Sequence, residues 1–291
     1  MPDGQNATPL EHAMGLPAPR ATSFIVTIYG DVAEPRGGTL SMAALIATCA
    51  VHGISETLAR TAVSRLVASG ALEGARVGRR SFYRLTESAR TEFRAAARLF
   101  YDPLPEAEGW LVALGPGGPP PGLSGAGWVR LAPDVLMGPD RSDLARPDSP
   151  IVAGSADGDT RTFAQAHWDL ESAAAGYRDV LDRFGPAGAT LSSGAVPDGG
   201  TCLALRLRLV HAYRQAVLAD PRLPRSAQPI DWPGARAQQL FAQIYLALAA
   251  ASDAHVGASF DAADGPLPAE TPATRARLQS LERVRKTAVT R

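Results

Sequence analysis

The sequence predicts an α+β protein, and three observations favour this class. Two short helix patterns on either side of a glycine are followed by a hairpin pattern. Two strand-like segments then lie in a stretch that is rich in glycine and proline. From Thr162 onward, apolar residues recur with helical spacing. We therefore expect an N-terminal winged helix-turn-helix, a small middle domain that contains a sheet, and a mainly helical C-terminal domain.

The same patterns predict where the domains begin and end. The acidic, proline-rich segment DPLPEAEG at 102–109 reads as a linker after the first domain. Five segments are predicted: a flexible N-terminus at 1–20, a winged-helix domain at 21–101, a small α+β domain at 107–160, a helical domain at 161–256 and a loosely ordered tail at 257–291.

Composition narrows the class of protein. Hydrophobic residues make up 45% of the 291 residues, charged residues make up 20%, and the formal net charge is zero. The longest apolar run, Tyr245–Ala251, is far shorter than the roughly 20 residues of a membrane span, and the first 20 residues do not resemble a signal peptide. We expect a cytoplasmic protein that does not associate with membranes. A nucleic-acid partner would have to bind one basic face, because the whole chain is neutral.

Two helices are predicted around Gly53. Ser41 is placed to cap the helix that Gly53 ends, and Ser55 is placed to cap a second helix that Gly70 ends. Two short helices joined by such a turn are typical of a helix-turn-helix. The core-facing side of the second helix is predicted to hold Leu58, Ala59, Ala62, Val63 and Leu66.

The opposite side of the second helix is the candidate DNA-reading surface. It carries Thr57, Arg60, Thr61 and Ser64, with Arg65 at its edge. Hydroxyl and guanidinium groups are the types that contact bases and phosphates. The segment 55–98 holds nine arginines and four acidic residues, which favours an anionic partner. A solvated amphipathic helix without a partner is the alternative, although its outer face would more often carry Glu–Lys pairs.

A hairpin with a cationic tip follows the second helix. Its strands flank Gly78, and the predicted DNA contacts are Arg79, Arg80, Ser81 and Tyr83. Arginines at such a tip bind phosphates or enter a minor groove, so the hairpin is expected to act as a wing. Thr86 then caps a helix whose Ala89, Phe93, Ala97 and Phe100 are expected to form a buried ridge.

The chain resembles the PaaX family of bacterial transcriptional repressors, which is named for the control of phenylacetic acid degradation. The resemblance covers most of residues 21–250 and rests on five stretches: SFIVTIYGDVAEPRGG, RTAVSRLVASGALEGARVGRRSFYRLT, HWDLESAAAGYRDVLDRF, LRLRLVHAYRQAVLADPRLP and DWPGARAQQLFAQIY. It implies a winged helix, a ferredoxin-like middle domain similar to that of CRISPR Cas2 proteins, and a helical C-terminal domain for effector binding and dimerisation. It also implies a homodimer that binds an inverted-repeat operator in double-stranded DNA.

The resemblance further implies a small-molecule inducer, an aryl-acyl-CoA such as phenylacetyl-CoA, that releases the operator of a catabolic operon. A CoA thioester needs arginines for its phosphates and an apolar, aromatic slot for its acyl end. The candidates in the C-terminal part are Trp168, Arg178, Arg206, Arg208, Tyr213, Arg214 and Trp232, each with a structural role as the alternative. The loop GPGGPPPGLSGAG at 115–127 cannot supply the crossover helix of a ferredoxin-like unit, so we expect a reduced middle domain.

Catalysis and cofactors have no support in the motifs. The sequence contains no GxSxG, Walker-type or GxGxxG motif and no metal-ligand spacing, and the pair His167 and Asp169 is a weak metal candidate. We expect no cofactor, no metal and no enzymatic activity. Two alternatives stay open at this point: a nuclease or hydrolase that the winged helix targets to DNA, and a thiol redox regulator that uses Cys49 or Cys202.

Overall fold

The computed structural model describes residues 8–15, 17–115, 117–120 and 127–287. Two compact units divide the chain. Unit 1 comprises residues 1–103, 180–212 and 238–291, and unit 2 comprises 104–179 and 213–237. The described residues form helices and three small sheets, as expected of an α+β protein. The predicted helical domain at 161–256 is not one compact body, because its residues are shared between the two units.

The N-terminal segment contains a helix where a flexible segment is predicted. Helix α1 (Pro9–Met14) begins at a capping box, in which the Thr8 side chain accepts from the Glu11 backbone and the Glu11 carboxylate accepts from Thr8. The prediction for 1–20 is therefore wrong for this part. Residues 1–7 and 16 lie outside the described residues.

The predicted helix pair is confirmed together with its caps. The pair consists of α3 (Met42–Val51) and α4 (Glu56–Ala68), and it is preceded by α2 (Ala21–Ile28) and β1 (Thr39–Ser41). A single π-helical turn, Tyr29–Ala33, extends α2. The Ser41 hydroxyl accepts from the Ala44 backbone N–H at 3.1 Å, and Ser55 accepts from Leu58 at 3.4 Å. Gly53 and Gly70 take φ values of 75° and 74°, the left-handed conformation that ends each helix.

The predicted hairpin pairs with β1. Strands β2 (Leu72–Val77) and β3 (Arg80–Leu85) form an antiparallel sheet of order β1-β3-β2, and helix α5 (Glu87–Tyr101) follows. The turn between β2 and β3 contains Gly78, whose φ of 60° suits glycine. The predicted ridge of α5 is buried at Ala89 and Phe100, whereas Phe93 and Ala97 are half-buried.

Unit 2 contains a four-stranded sheet. Its strands are β4 (Trp110–Leu114), β5 (Val129–Ala132), β6 (Val135–Pro139) and β7 (Ile151–Gly154). All neighbouring strands are antiparallel, in the order β5-β6-β4-β7. The first three strands lie in the two segments that the sequence predicts, and the short strand β7 is an addition. As expected from the Gly/Pro-rich loop, the described residues between β4 and β5 contain no helix.

The last third of the chain is helical and continues further than predicted. Helices α6 (Thr160–His167), α7 (Leu170–Ser192), α8 (Gly199–Ala219) and α9 (Gly234–Ser259) are followed by β8 (Asp261–Ala262), β9 (Gly265–Pro266) and α10 (Pro272–Thr287). The predicted loose tail at 257–291 is therefore wrong for its described part. The buried side of α10 includes Thr274, Arg277 and Ser280, and these polar residues hide the apolar periodicity that predicts a packed helix.

A buried carboxylate organises the core of unit 1. Asp31, in the π-helical turn, lies 2.9 Å from Arg206 Nε and 3.3 Å from Arg277 Nη1. The hydroxyls of Tyr101 and Tyr245 donate to the same carboxylate at 3.0 and 2.8 Å. Burial alone raises the pKa of Asp31, but the two guanidiniums and the two tyrosine hydroxyls together outweigh burial and hold this pKa below its ordinary value.

A second carboxylate extends this network. Asp253 on α9 accepts from Arg206 at 2.7 Å and from Arg36 at 2.8 Å. Arg36 follows the π-helical turn, so its side chain joins the N-terminal elements to α9. Asp31, Arg36, Arg206, Asp253 and Arg277 together form what we call the buried ion network, and every member belongs to unit 1.

Replacing Arg277 by alanine is expected to lower the free energy of unfolding by about 3–5 kcal/mol, because Asp31 then loses one of its two cations inside the core. The matched control is Arg275→Ala, two residues earlier on α10, where the arginine is exposed and pairs with Glu270. That change is expected to cost less than about 1 kcal/mol. Urea unfolding of both variants measures the difference, and equal costs would contradict the structural role of the network.

Lowering the pH from about 7 to about 4.5 is expected to destabilise the protein through His52. This residue follows α3, is 2% exposed, and accepts from Arg208 Nε at 3.1 Å through its Nδ1. Burial first, and then the nearby Arg208 cation, lower the pKa of His52 from 6.5 to about 3. As the pH falls, the unfolded chain therefore binds a proton at His52 before the folded protein does. The contribution of His52 to the free energy of unfolding is complete above about pH 6.5 and is lost as the pH falls towards 3.

The variant His52→Gln keeps an acceptor for Arg208 and does not titrate. Its free energy of unfolding is expected to fall by about 2 kcal/mol less than that of the wild type over this pH range. The control His12→Gln changes an exposed histidine on α1 and is expected to follow the wild type. Urea unfolding at several pH values measures these slopes. A His52→Gln slope equal to that of the wild type would refute the assignment.

Candidate nucleic-acid interface

Helix α4 has a buried side and a polar, exposed side. Four residues are buried against the core of unit 1: Ala59, Ala62, Val63 and Leu66. All five predicted DNA-reading residues of this helix are exposed: Thr57, Arg60, Thr61, Ser64 and Arg65. This division into a buried and an exposed side follows from the helix geometry, because successive residues are rotated by about 100° around the axis. The exposed side is therefore available for a partner.

Leu58 departs from the prediction. Its side chain is 56% exposed, although the pattern places it on the core-facing side. Leu58 immediately precedes Ala59 and so lies about 100° around the helix from it, at the border of the buried stripe. The stripe that faces the core is narrower than the apolar pattern suggests.

The two arginines of α4 differ in their partners. Arg60 Nη2 lies 2.8 Å from Glu56 Oε1, one turn earlier, and both side chains are more than half exposed. Such a pair contributes little to stability, so phosphate or a base edge can replace Glu56 at low cost. Arg65 makes no ion pair within the part of the chain that the structure describes.

The hairpin tip is exposed and basic. Arg79 follows Gly78 in the turn, and among the described residues it has no acidic partner. Arg84, on β3, pairs at 2.9 Å with Glu73, its neighbour across the sheet. Between residues 55 and 86 the chain carries six arginines and only two acidic residues, so the surface of α4 and the hairpin is positive.

Arg80 has a partner that the sequence does not predict. Its guanidinium pairs with Asp261 of β8 and lies 5.3 Å from the centre of the Phe82 ring. The two charged residues are 181 positions apart in the chain, so no local pattern links them. A phosphate contact of Arg80 therefore has to compete with Asp261.

The two other hairpin candidates are half-buried. Ser81 and Tyr83 lie on the same side of β3, and the Tyr83 ring packs against the core of unit 1. A side chain at Gly74 would lie 3.2 Å from this ring. The Tyr83 backbone carbonyl accepts from the Tyr29 hydroxyl at 3.0 Å. These contacts explain the position of Tyr83 without DNA, and its phosphate contact stays a prediction.

The predicted effector residues do not all lie together. Trp168, Arg178, Tyr213, Arg214 and Trp232 belong to unit 2, whereas Arg206 belongs to unit 1. Arg206 is fully buried and both its carboxylate partners belong to the buried ion network, so its predicted role in ligand binding is wrong. Arg208, which hydrogen-bonds to His52 and to the Pro17 carbonyl, is likewise buried in unit 1.

Aromatic rings form the apolar centre of unit 2. The Trp168 ring lies 5.5 Å from that of Trp110, and its Nε1–H donates to the Gly127 carbonyl at 2.9 Å. Trp232 packs partly buried against the same cluster. Tyr213 is fully buried, 6.4 Å from the ring of Tyr177.

The two predicted arginines of unit 2 differ in exposure, because Arg178 is exposed and Arg214 is half-buried. Exposed Arg178 pairs with Glu171 at 2.6 Å. The sequence reasoning missed a buried polar cluster in the segment DPRLP, where Asp220 accepts from the Tyr177 hydroxyl at 2.9 Å and from the Arg222 backbone at 2.7 Å. Burial raises the pKa of Asp220. The segment DPRLP lies in one of the five stretches on which the resemblance to the family rests, and this resemblance is the signal that could have indicated the cluster.

Neither cysteine is suited to a redox role. Cys49 and Cys202 are both free and buried. Burial raises the pKa of Cys49 to about 11 and also raises that of Cys202. Oxidation proceeds through the thiolate, which both sites disfavour. No group of three or more potential metal ligands occurs in the described ranges, and no helix there is long and apolar enough to cross a membrane.

Comparisons with known proteins match two parts of the chain to models of one family. A family model described as PaaX-like protein matches residues 20–89, and one described as PaaX-like protein C-terminal domain matches residues 168–258. The transcriptional repressor PaaX of Escherichia coli (strain K12) is 31% identical over 288 residues, which cover 89% of this chain and 90% of that protein.

The solved structure of the uncharacterized protein Rv0674 from Mycobacterium tuberculosis is 21% identical. The match covers 80% of this chain and 97% of that one, with a TM-score of 0.46. The two family models and the extent of the identity to the E. coli repressor together establish that this chain belongs to the PaaX family of transcriptional repressors.

Proposed function

We propose that this protein is a sequence-specific repressor whose helix α4 enters the major groove of double-stranded DNA. The observation that carries the proposal is the exposed side of α4, on which all five predicted contact residues lie. The elements α2, α3 and α4 with the sheet β1-β3-β2 correspond to a winged helix-turn-helix, and the β2–β3 hairpin is its wing.

The proposed contacts fall into two groups, those of α4 with base edges and those of the wing with the phosphate backbone or the minor groove. Thr57, Arg60, Thr61 and Ser64 face the base edges, with Arg65 beside them. Arg79 binds the phosphate backbone or the adjacent minor groove, because it stands at the exposed tip of the wing. Arg80 binds phosphate only when it leaves Asp261, so it contributes less than Arg79.

The operator is an inverted repeat that a homodimer binds. A dimer with two-fold symmetry presents two copies of α4 to two half-sites, so the symmetry of the DNA follows that of the protein. Family membership supports repression, since the E. coli relative bears the name of a transcriptional repressor. The homodimer and the inverted repeat are part of the proposal. Repression is relieved when a small molecule reduces the affinity of the dimer for its operator.

Unit 2 binds that small molecule, and its sheet is a reduced ferredoxin-like unit. The order β5-β6-β4-β7, with antiparallel neighbours throughout, corresponds to the strand order 2-3-1-4 of a βαββαβ unit, while the described residues of both crossovers contain no helix. The inducer is an aryl-acyl-CoA of a catabolic pathway. We assign its aryl end to Trp168 and Trp232, and its phosphates to Arg178 and Arg214.

Replacing Arg60 by alanine is expected to cost about 1–3 kcal/mol of operator binding and to relax the preference at one base pair, because Arg60 reads a base edge. Replacing Arg79 is expected to weaken binding to all sequences alike and to reduce the salt slope by about 1, because Arg79 contacts phosphate. Gel shifts at several salt concentrations measure both effects.

The control for these variants is Arg275→Ala, which removes an exposed arginine of unit 1 outside the proposed interface. It is expected to bind the operator like the wild type. If Arg60→Ala and Arg79→Ala also kept wild-type affinity and salt dependence, α4 and the wing would not be the DNA-binding surface.

Adding phenylacetyl-CoA is expected to release the operator, and Arg178→Ala is expected to raise the concentration needed by about tenfold, since a charge-assisted hydrogen bond contributes about 1.5–3 kcal/mol. Fluorescence anisotropy of a labelled operator measures the release. Arg225→Ala, which removes an exposed arginine of unit 2, is the matched control and is expected to respond normally. A thioester that neither binds nor weakens the operator complex would refute this inducer class.

A further inference from the structure

Large apolar side chains that are exposed to solvent concentrate in one part of the chain. The described residues include eight of them, and four fall between residues 51 and 77: Val51, Leu58, Val67 and Val77. This segment contains the last residue of α3, all of α4 and the first strand of the wing. Exposed apolar groups on a surface otherwise made of hydroxyls and guanidiniums point to an apolar group on the partner.

Leu58 has the best position of the four for reading DNA. It is the third residue of α4, and the first turn of a recognition helix is the part that reaches base edges. The Ser55 hydroxyl accepts from the Leu58 backbone N–H, so the N-cap fixes the start of the helix and the place of this residue. Leu58, Thr61 and Arg65 follow the spacing i, i+3 and i+7, which aligns them in one exposed stripe along α4.

The core of unit 1 does not include the Leu58 side chain. The core contacts of α4 come from Ala59, Ala62, Val63 and Leu66, while Leu58 is 56% exposed and is absent from that core. Its apolar surface therefore faces water in the free protein, at a cost that a partner can relieve. In the major groove, the apolar group that a base edge presents is the 5-methyl group of thymine.

We propose that Leu58 is a specificity-determining residue that recognises thymine by packing against its 5-methyl group at one position of each operator half-site. This inference rests on the proposed function, because it requires α4 in the major groove. It adds an apolar contact to the polar readers Arg60, Thr61 and Ser64. It also explains why an apolar residue occupies the exposed first turn of this helix.

The test removes one methyl group at a time. A duplex is first selected from random sequences by the wild-type protein at fixed salt. Each thymine is then replaced by deoxyuridine, which lacks the 5-methyl group but keeps its base pairing and its O4 acceptor. Anisotropy titrations with the wild type, Leu58→Ala and Val67→Ala measure the affinity for each duplex. Val67→Ala is the matched control, because Val67 is also exposed on α4 but lies nine residues further, about 13 Å along the helix.

One thymine in each half-site is expected to show the effect. Deoxyuridine there should weaken wild-type binding by about fourfold, the factor that corresponds to the roughly 0.8 kcal/mol of one buried methyl group. Leu58→Ala should bind both duplexes equally, and Val67→Ala should discriminate like the wild type. Thermal unfolding of Leu58→Ala should match the wild type, since its side chain is outside the core.

Two outcomes would overturn the inference. In the first, the wild type tolerates deoxyuridine at every position. In the second, Leu58→Ala retains the same discrimination as the wild type. Failure of the proposed function is distinguishable from both, because in that case the wild type selects no duplex at all from the random pool.

Discussion

The buried carboxylate of Asp31 is the constraint on which the rest of unit 1 depends. An ionised group that is fully buried requires compensating charge, and Arg206 and Arg277 supply it from helices α8 and α10. The same core also contains Leu203, Val256, Phe260 and Leu267, which pack with residues of α2, α3 and α4. The proposed DNA-binding elements therefore share one core with the C-terminal helices.

Burial decides what each arginine does in this protein. Arginine accounts for 28 of the 29 basic residues, so residue type alone does not separate structural from functional cations. Arg206 and Arg277 are buried and bind carboxylates, and a guanidinium keeps its charge in such a place. Arg65 and Arg79 are exposed on the positive surface of α4 and the wing. Arg80 lies between these cases, because it is exposed but paired with Asp261.

Prediction from the sequence worked best where the determining contacts are local. Ser41 and Ser55 cap their helices within three residues, and Gly53 and Gly70 end them, so both boundaries of α3 and α4 can be read from the chain. The sequence prediction failed at Leu58, which was expected to face the core, and at α10, which was expected to be a loosely ordered tail. A helical pattern does not say how wide the covering surface is, and the polar residues on the buried side of α10 give no apolar period.

The sequence by itself determined the order of α3, α4, the β2–β3 hairpin and α5, the polar side of α4, the cationic hairpin tip and the family. These depend on residues a few positions apart, or on stretches that are compared directly. Only the tertiary structure decided that Arg206 is a core residue, that Asp261 holds Arg80, and that the C-terminal segment folds into unit 1. Those outcomes depend on contacts between residues up to 247 positions apart, which no local pattern contains.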